Sequence, residues 1–494
     1  MLLSTMIATA YATPCHTASL LMSLPNTRPV SPVAAHGSPI ESRDPYNLPN
    51  EWLTEHFAIR WGDDVKIDLD DLSRIAEAFE FSWDIEIEEL GMPTPLGSDT
   101  SLFNVYIGDT GNGAPSSFGA SGYYGRDSED WPMIVLGTST VNDSHRSLVT
   151  VAHEFFHALQ DATGSYRPTT ETTWYWEATA TWMEGVVYPE DPHIGVYLLG
   201  FAFLPHYSLD YYDTFDTGAF SELYAYGAFI FPEYLTEATG DPSLVIESWI
   251  DNDSETDPLV RISSLLSNRN QTLNETIARF GAHTAVLDYH NGEHYQWLLD
   301  EYSTYPQYES FDHRVTATVS DPGTNGWARP PAATLPSRYG HNVLVLDVID
   351  TTEIVVSFMG EFYGSQSSRA NWAATVVLND NGDLSYLDID LHQHQGSLTL
   401  PSTSPDTVVT VVVSALPEHA EINETFNYQY AVGPIPPEQV DTGDDPEALG
   451  ACGCNTTSWN TFNIGLLLVG LVLLRRKRSI PLGSTNATAG QPSG

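Results

Sequence analysis

The five residues His153-Glu154-Phe155-Phe156-His157 constrain this chain more than any other feature. Two histidines at i and i+4 share one face of a helix, so both imidazoles can reach a single metal ion. The acid between them projects beside the same ion, within reach of a water's proton. Thr150-Val151-Ala152 before the run and Ala158-Leu159 after it carry no charge, which allows the helix to be buried. An amphipathic core helix with two incidental histidines is the plain alternative, and it gives no reason for a third ligand at a suitable distance. Glu177 supplies one, twenty positions after His157, within Trp174-Tyr175-Trp176-Glu177-Ala178-Thr179-Ala180-Thr181-Trp182-Met183-Glu184. Gly164 can stop the first helix, and Pro168 with Thr169 and Thr170 makes a turn. Helix, turn and antiparallel helix then bring Glu177 back to the level of the histidines, with Zn²⁺ as the expected cofactor.

These residues resemble the gluzincin metallopeptidases, the thermolysin-like clan, over about residues 60 to 240. The resemblance implies His153, His157 and Glu177 as metal ligands and Glu154 as general base. A metzincin would need a Gly and a third His soon after His157, and Asp161-Ala162-Thr163-Gly164 offers no histidine. Tyr224-Ala225-Tyr226-Gly227 is similar to the Tyr-x-Lys-Gly segment of gluzincin aminopeptidases, with Tyr226 in place of the lysine. That likeness makes Tyr224 a candidate donor to the oxyanion, against core packing of both tyrosines. Glu184, seven residues after Glu177, is two helical turns along the same face. It is a candidate partner for the free N–H of a ligating histidine.

The fold expected is α+β: a zincin-like, two-lobed catalytic domain over residues 51–329, then an all-β sandwich over 336–432. From Asp68 to Glu89 the apolar positions follow a helical period. Leu102–Ile107 and Pro132–Leu136 read as strands, the second ahead of the metal helix at about Ser144–Ala162. Gly111–Gly125 reads as a Gly- and Ser-rich connection. Residues 195 to 310 are expected to be mostly helical, including Glu222–Thr236 and Pro242–Ile250. The resemblance also implies an edge strand that binds substrate backbone by β-augmentation. Beyond Arg329-Pro330-Pro331, six or seven short strand-like runs follow, with Asn381-Gly382 as a hairpin turn. That spacing suggests a sandwich, a stabilising or binding module.

The ends differ in character. Residues 1–12 end in Ala10-Tyr11-Ala12, a possible signal-peptide cleavage site, and 13–50 read as a disordered leader or propeptide. Residues 433–450 form an acidic linker. Then come Cys452-Gly453-Cys454, an apolar run at Ile464–Leu474 that reads as a transmembrane segment, and Arg475-Arg476-Lys477-Arg478. This tail, residues 451–478, resembles myxobacterial C-terminal sorting signals, with the disordered residues 479–494 after it. The basic cluster puts the body outside and the terminus in the cytoplasm.

The net charge of −46 repels nucleic acid and anionic lipid, so contact with a membrane is expected through the tail alone. The three cysteines, Cys15, Cys452 and Cys454, flank the body and can neither staple it nor bind its metal. Asp251 to Asp257 alternates acids as a Ca²⁺ loop might require, but Thr256 sits where an EF-hand needs glycine. The leading expectation is an exported, surface-anchored, monomeric zinc peptidase acting on protein or peptide. A catalytically idle zinc-containing surface adhesin and a zinc hydrolase of non-peptide amides are the alternatives.

Overall fold

The computed structural model describes Thr17 and residues 42–213, 220–250, 257–303, 315–318, 326–347, 354–360, 370–400, 406–420 and 424–433. They mix α and β structure, with three sheets. The residues read as a possible signal peptide, the Asp251–Thr256 stretch and the whole tail from residue 434 lie outside them. Among the described residues no helix is long and apolar enough to cross a membrane.

The first sheet contains β1 (Asn50–Leu53), β2 (Phe57–Trp61), β3 (Phe103–Ile107), β4 (Gly122–Arg126) and β5 (Pro132–Leu136), in the order β1-β2-β3-β5-β4. The three inner strands run parallel, and both outer strands are antiparallel to their neighbours. Two sequence expectations are corrected here. Gly122–Arg126 is a strand rather than part of a connection, because its backbone pairs with β5 from Gly122↔Leu136 to Arg126↔Pro132. It forms the sheet's outer edge, while Pro132–Leu136 is internal. Residues 42–50, assigned by composition to the leader, belong to the body. Arg43 pairs with Asp127 (3.3 Å) and Glu129 (2.6 Å) and stacks on Trp131, and Asn50 opens β1.

Three helices meet this sheet or one another. α1 (Leu69–Trp83) starts at Asp68, whose side chain accepts the Asp70 N–H, and continues as a π-turn over Asp84–Glu89. α2 (Arg146–Thr163) carries the His-Glu run and ends at Gly164, whose φ of 74° suits a residue without a Cβ. Its Phe155 packs against Phe57 of β2, Phe103 of β3 and Trp83 of α1, with centroids 5.3 to 6.3 Å apart. That aromatic cluster seats α2 on the sheet and turns its opposite face to α3 (Thr173–Val187), which is buried along almost its whole length.

The second half of the body is helical, as expected, but more broken than the pattern suggested. Glu222–Thr236 is divided into a 3₁₀ turn at Phe220–Leu223, a short α4 (Tyr224–Gly227) and α5 (Ile230–Thr239). Then follow α6 (Ser243–Trp249), α7 (Pro258–Asn268), α8 (Leu273–Val286) and α9 (Gly292–Ser303).

The strands after residue 315 form two sheets. One runs β10-β9-β12-β7-β6 and the other β11-β8-β13. Their ranges are β6 (Val315–Thr318), β7 (His341–Asp347), β8 (Val355–Gly360), β9 (Ala370–Asp380), β10 (Asp383–Asp388), β11 (Gln395–Thr399), β12 (Val408–Pro417) and β13 (Tyr428–Gly433). Val356, Phe358 and Tyr428 of the smaller sheet share one core with Trp372, Val376 and Val411 of the larger. Asn381 and Gly382 turn the β9–β10 hairpin with φ of 53° and 100°, as the Asn-Gly signal requires. The larger sheet rests on α8. Ala282 packs with Val377 and Val412, Arg279 pairs with Asp388 at 2.5 Å, and the Tyr386 ring stacks on His283.

Candidate metal centre

His153 and His157 face α3 from α2, and Glu177 faces them from the second turn of α3. The Glu177 Oε2 lies 3.4 Å from His153 Nε2 and 3.5 Å from His157 Nε2. A tetrahedral ion with bonds of 2.0–2.1 Å separates its ligands by about 3.3 Å, so this spacing fits a shared metal. All three side chains are buried, and both Nε2 atoms converge on the Glu177 carboxylate, with neither His157 Nε2 nor the Glu177 oxygens held by a hydrogen bond of good geometry. Buried polar atoms in that state are costly unless an ion joins them. This group could hold a metal ion.

The imidazoles are held from behind. His153 Nδ1 lies 2.8 Å from Glu184 Oε1, so the acid two turns beyond Glu177 does reach a histidine of the group. His157 Nδ1 lies 2.6 Å from Gln160 Oε1. Gln160 Nε2 donates to the Trp176 carbonyl at 3.0 Å and to Thr179 Oγ1 at 2.9 Å. A carbonyl can only accept, which fixes the amide orientation and makes His157 Nδ1 the donor. With Nδ1–H so engaged, Nε2 keeps a lone pair for the metal. Gln160 therefore orients the His157 ring and also ties α2 to α3.

Charge within the group follows from burial and pairing. Burial acts to raise the Glu177 carboxyl, but His157 and His153 outweigh it and hold it down to about 2. Burial raises Glu184 above the ordinary range, and its hydrogen bond to His153 opposes that rise. Glu86, on the π-turn, is also buried, and burial holds its carboxyl well above the usual value.

Glu154 is 1 % exposed and points to β4. A Cβ on Gly122 would come within 3.0 Å of the Glu154 Cγ, so the glycine makes room for the acid against the edge strand. Tyr224 does not join this group through its hydroxyl. That O–H donates to the Tyr207 carbonyl at 3.4 Å, and the ring packs among Phe201, Tyr207 and Tyr211. Two residues on, the Tyr226 ring stacks over His153, with centroids 6.0 Å apart and planes 17° apart. Trp176 covers His157 in the same way. Gln160 and Gly122 escaped the sequence reading, although Gln160 stands one helical turn after His157, where an orienting partner would be sought.

The chain belongs to a sequence family described as "Family of unknown function (DUF6055)", which matches residues 43–432. No curated protein matches the sequence. One solved structure, titled as a family GH115 4-O-methyl-α-glucuronidase with specificity for decorated arabinogalactans, is 11% identical. It aligns with 62% of this chain and 46% of its own length at a TM-score of 0.15, so the chain spans less than half of that protein. A likeness that weak carries no argument.

Proposed function

We propose that this protein is a zinc-dependent peptidase of the gluzincin type, exported and anchored at the cell surface. The observation that carries the reading is the buried His153, His157 and Glu177 group, at tetrahedral spacing, with Glu154 beside it. Two imidazoles and one carboxylate suit zinc, and three protein ligands are the number found in catalytic rather than structural sites. Bound zinc would supply Lewis acidity, making a water acidic near neutral pH and polarising a carbonyl.

The remaining roles fall to the chain. Glu154 takes the proton of the attacking water and passes it to the departing amine nitrogen. Glu184 and Gln160 hold the two imidazoles in the ligating tautomer. Among the described residues β4 is an edge strand, the kind of strand that can pair with an extended peptide, which favours a peptide over a compact amide substrate. Tyr226, rather than Tyr224, is the aromatic hydroxyl residue beside the ligands and the better candidate to steady the oxyanion. The surface location is supported by the tail alone, with its apolar run at residues 464–474 and four cations after it.

The test is hydrolysis of a mixed peptide library by the wild-type protein, the chelated protein and Glu154→Gln. Wild type should cleave and the chelated protein should not. Glu154→Gln should retain metal while losing about 10²- to 10⁴-fold in rate. Activity of the variant within a few-fold of wild type would give the base role to another group.

A further inference from the structure

The first sheet has a second edge strand, β1, on the side opposite β4. β1 pairs with β2 in the register Asn50↔Trp61 to Leu53↔Ala58. Just after it, the Thr54 N–H donates to the Phe57 carbonyl at 2.9 Å. By the alternation of an antiparallel ladder, Asn50 and Trp52 then also turn their backbone groups to β2. Glu51 and Leu53 therefore each aim an N–H and a C=O outward, and among the described residues nothing pairs with those groups.

Beside this edge, β1 and α1 border a groove of about 400 Å³. Its floor is apolar, made by Trp52 of β1 with Ala76 and Phe81 of α1. The Phe81 ring is left 43 % exposed, so an apolar side chain laid over it would be favoured by burial. The wall is acidic, because Glu77, Glu80 and Asp84 recur at helical spacing on that same face of α1. Glu80 is engaged by His56, whose backbone N–H donates to it at 2.9 Å and whose Nδ1 lies 2.6 Å away. Glu77 and Asp84 are exposed, and among the described residues no cation pairs with either. Two such carboxylates, two helical turns apart beside an apolar floor, fit a strand that alternates apolar and cationic residues on one face.

A second copy of this chain is a poor occupant. The net charge is −46, and pairing β1 with β1 would set Glu51, Glu77 and Asp84 near their own equivalents. We propose that the groove between β1 and α1 docks an extended, basic segment of a partner protein, which pairs with Glu51 and Leu53 as a sixth strand of the first sheet. On the α1 side, that segment lays an apolar residue over Trp52 and Phe81 and a Lys or Arg against Glu77 or Asp84. β1 lies four strand spacings from β4, about 19 Å, so the surface is separate from the metal group and independent of the reaction proposed there.

The test uses the full chain, loaded with zinc and carrying Glu154→Gln so that the probe is not consumed. The probe is a fluorescein-labelled peptide of three Val-Thr-Lys-Thr repeats, and its counterpart has Glu in place of every Lys. Fluorescence anisotropy should show the basic peptide binding at least tenfold more tightly than the acidic one, with affinity falling as salt rises. Leu53→Pro removes one outward N–H while leaving the β1–β2 ladder intact, and should weaken binding at least tenfold. Glu77→Lys combined with Asp84→Lys should reverse the preference, so that the acidic peptide binds at least tenfold more tightly than the basic one. Should Leu53→Pro fail to fold by circular dichroism, the charge reversal decides alone. Equal binding of the two peptides by the parent, or an unreversed preference in the doubly substituted protein, would overturn the proposal. A folded Leu53→Pro protein that binds the basic peptide at parental strength would overturn it as well.

Discussion

At the scale of single residues, the site is built by turning two ring nitrogens onto one buried carboxylate. His153 and His157 commit Nδ1 to Glu184 and Gln160, and that commitment directs both Nε2 atoms to Glu177. Gln160→Ala should therefore keep the fold but weaken metal affinity by about 10- to 100-fold, as loss of such partners does. Competition with a chelator of known affinity measures this, and an unchanged affinity would show that Gln160 does not orient the ligand. The gathering of His153, His157, Glu177 and Glu184 was legible in the sequence because i, i+4 and i, i+7 spacings put each pair on one face of its own helix. Tyr224 and Tyr226 were not separable in that way. They stand on different sides of one short helix, and only its packing on Phe201 and Tyr207 decides which approaches His153.

Secondary-structure elements bring these residues together, and here local and tertiary signals part company. α2 and α3 were readable from apolar spacing and from Gly164. β4 was hidden because Gly-Tyr-Tyr-Gly-Arg carries a turn-like composition, and what makes it a strand is pairing with β5. β2 lacked an alternating pattern, since it is buried on both faces, and β1 is only four residues long. A contact between α5 and α9 gives a pH test of helix packing. The Tyr295 hydroxyl lies within 2.9 Å of both Glu233 oxygens. Burial pushes the Glu233 carboxyl up to about 8, Tyr295 opposes the shift, and Glu237 adds to it. A carboxyl raised in the folded state contributes stability that is full below its unfolded value near 4.5 and is lost as pH rises through about 8. Urea midpoints should accordingly fall between pH 5 and pH 9 by more in wild type than in Glu233→Gln. Equal falls would mean that Glu233 ionises without cost in the folded protein.

On the scale of the whole molecule, the half that carries the His-Glu group and the two sheets after it form one compact unit. α8 is the helix on which the larger sheet rests, through Arg279, Ala282 and His283. The sandwich strands were readable because short β-branched runs alternate with turns, whereas β6 adds to the sheet in parallel, a pairing that no local signal encodes. The surface-anchor proposal belongs at this scale as well. Deleting residues 451–494 should release a soluble protein with unchanged metal content into the medium. Retention of the truncated protein on cells would remove the tail as the anchor.

The central claim is that His153, His157 and Glu177 hold one zinc ion, and metal content of the purified protein tests it most directly. Wild type and Glu154→Gln should each carry close to one zinc per chain, and His153→Ala and Glu177→Ala close to none, with all four folded by circular dichroism. Near-stoichiometric zinc retained in both ligand variants would contradict the account.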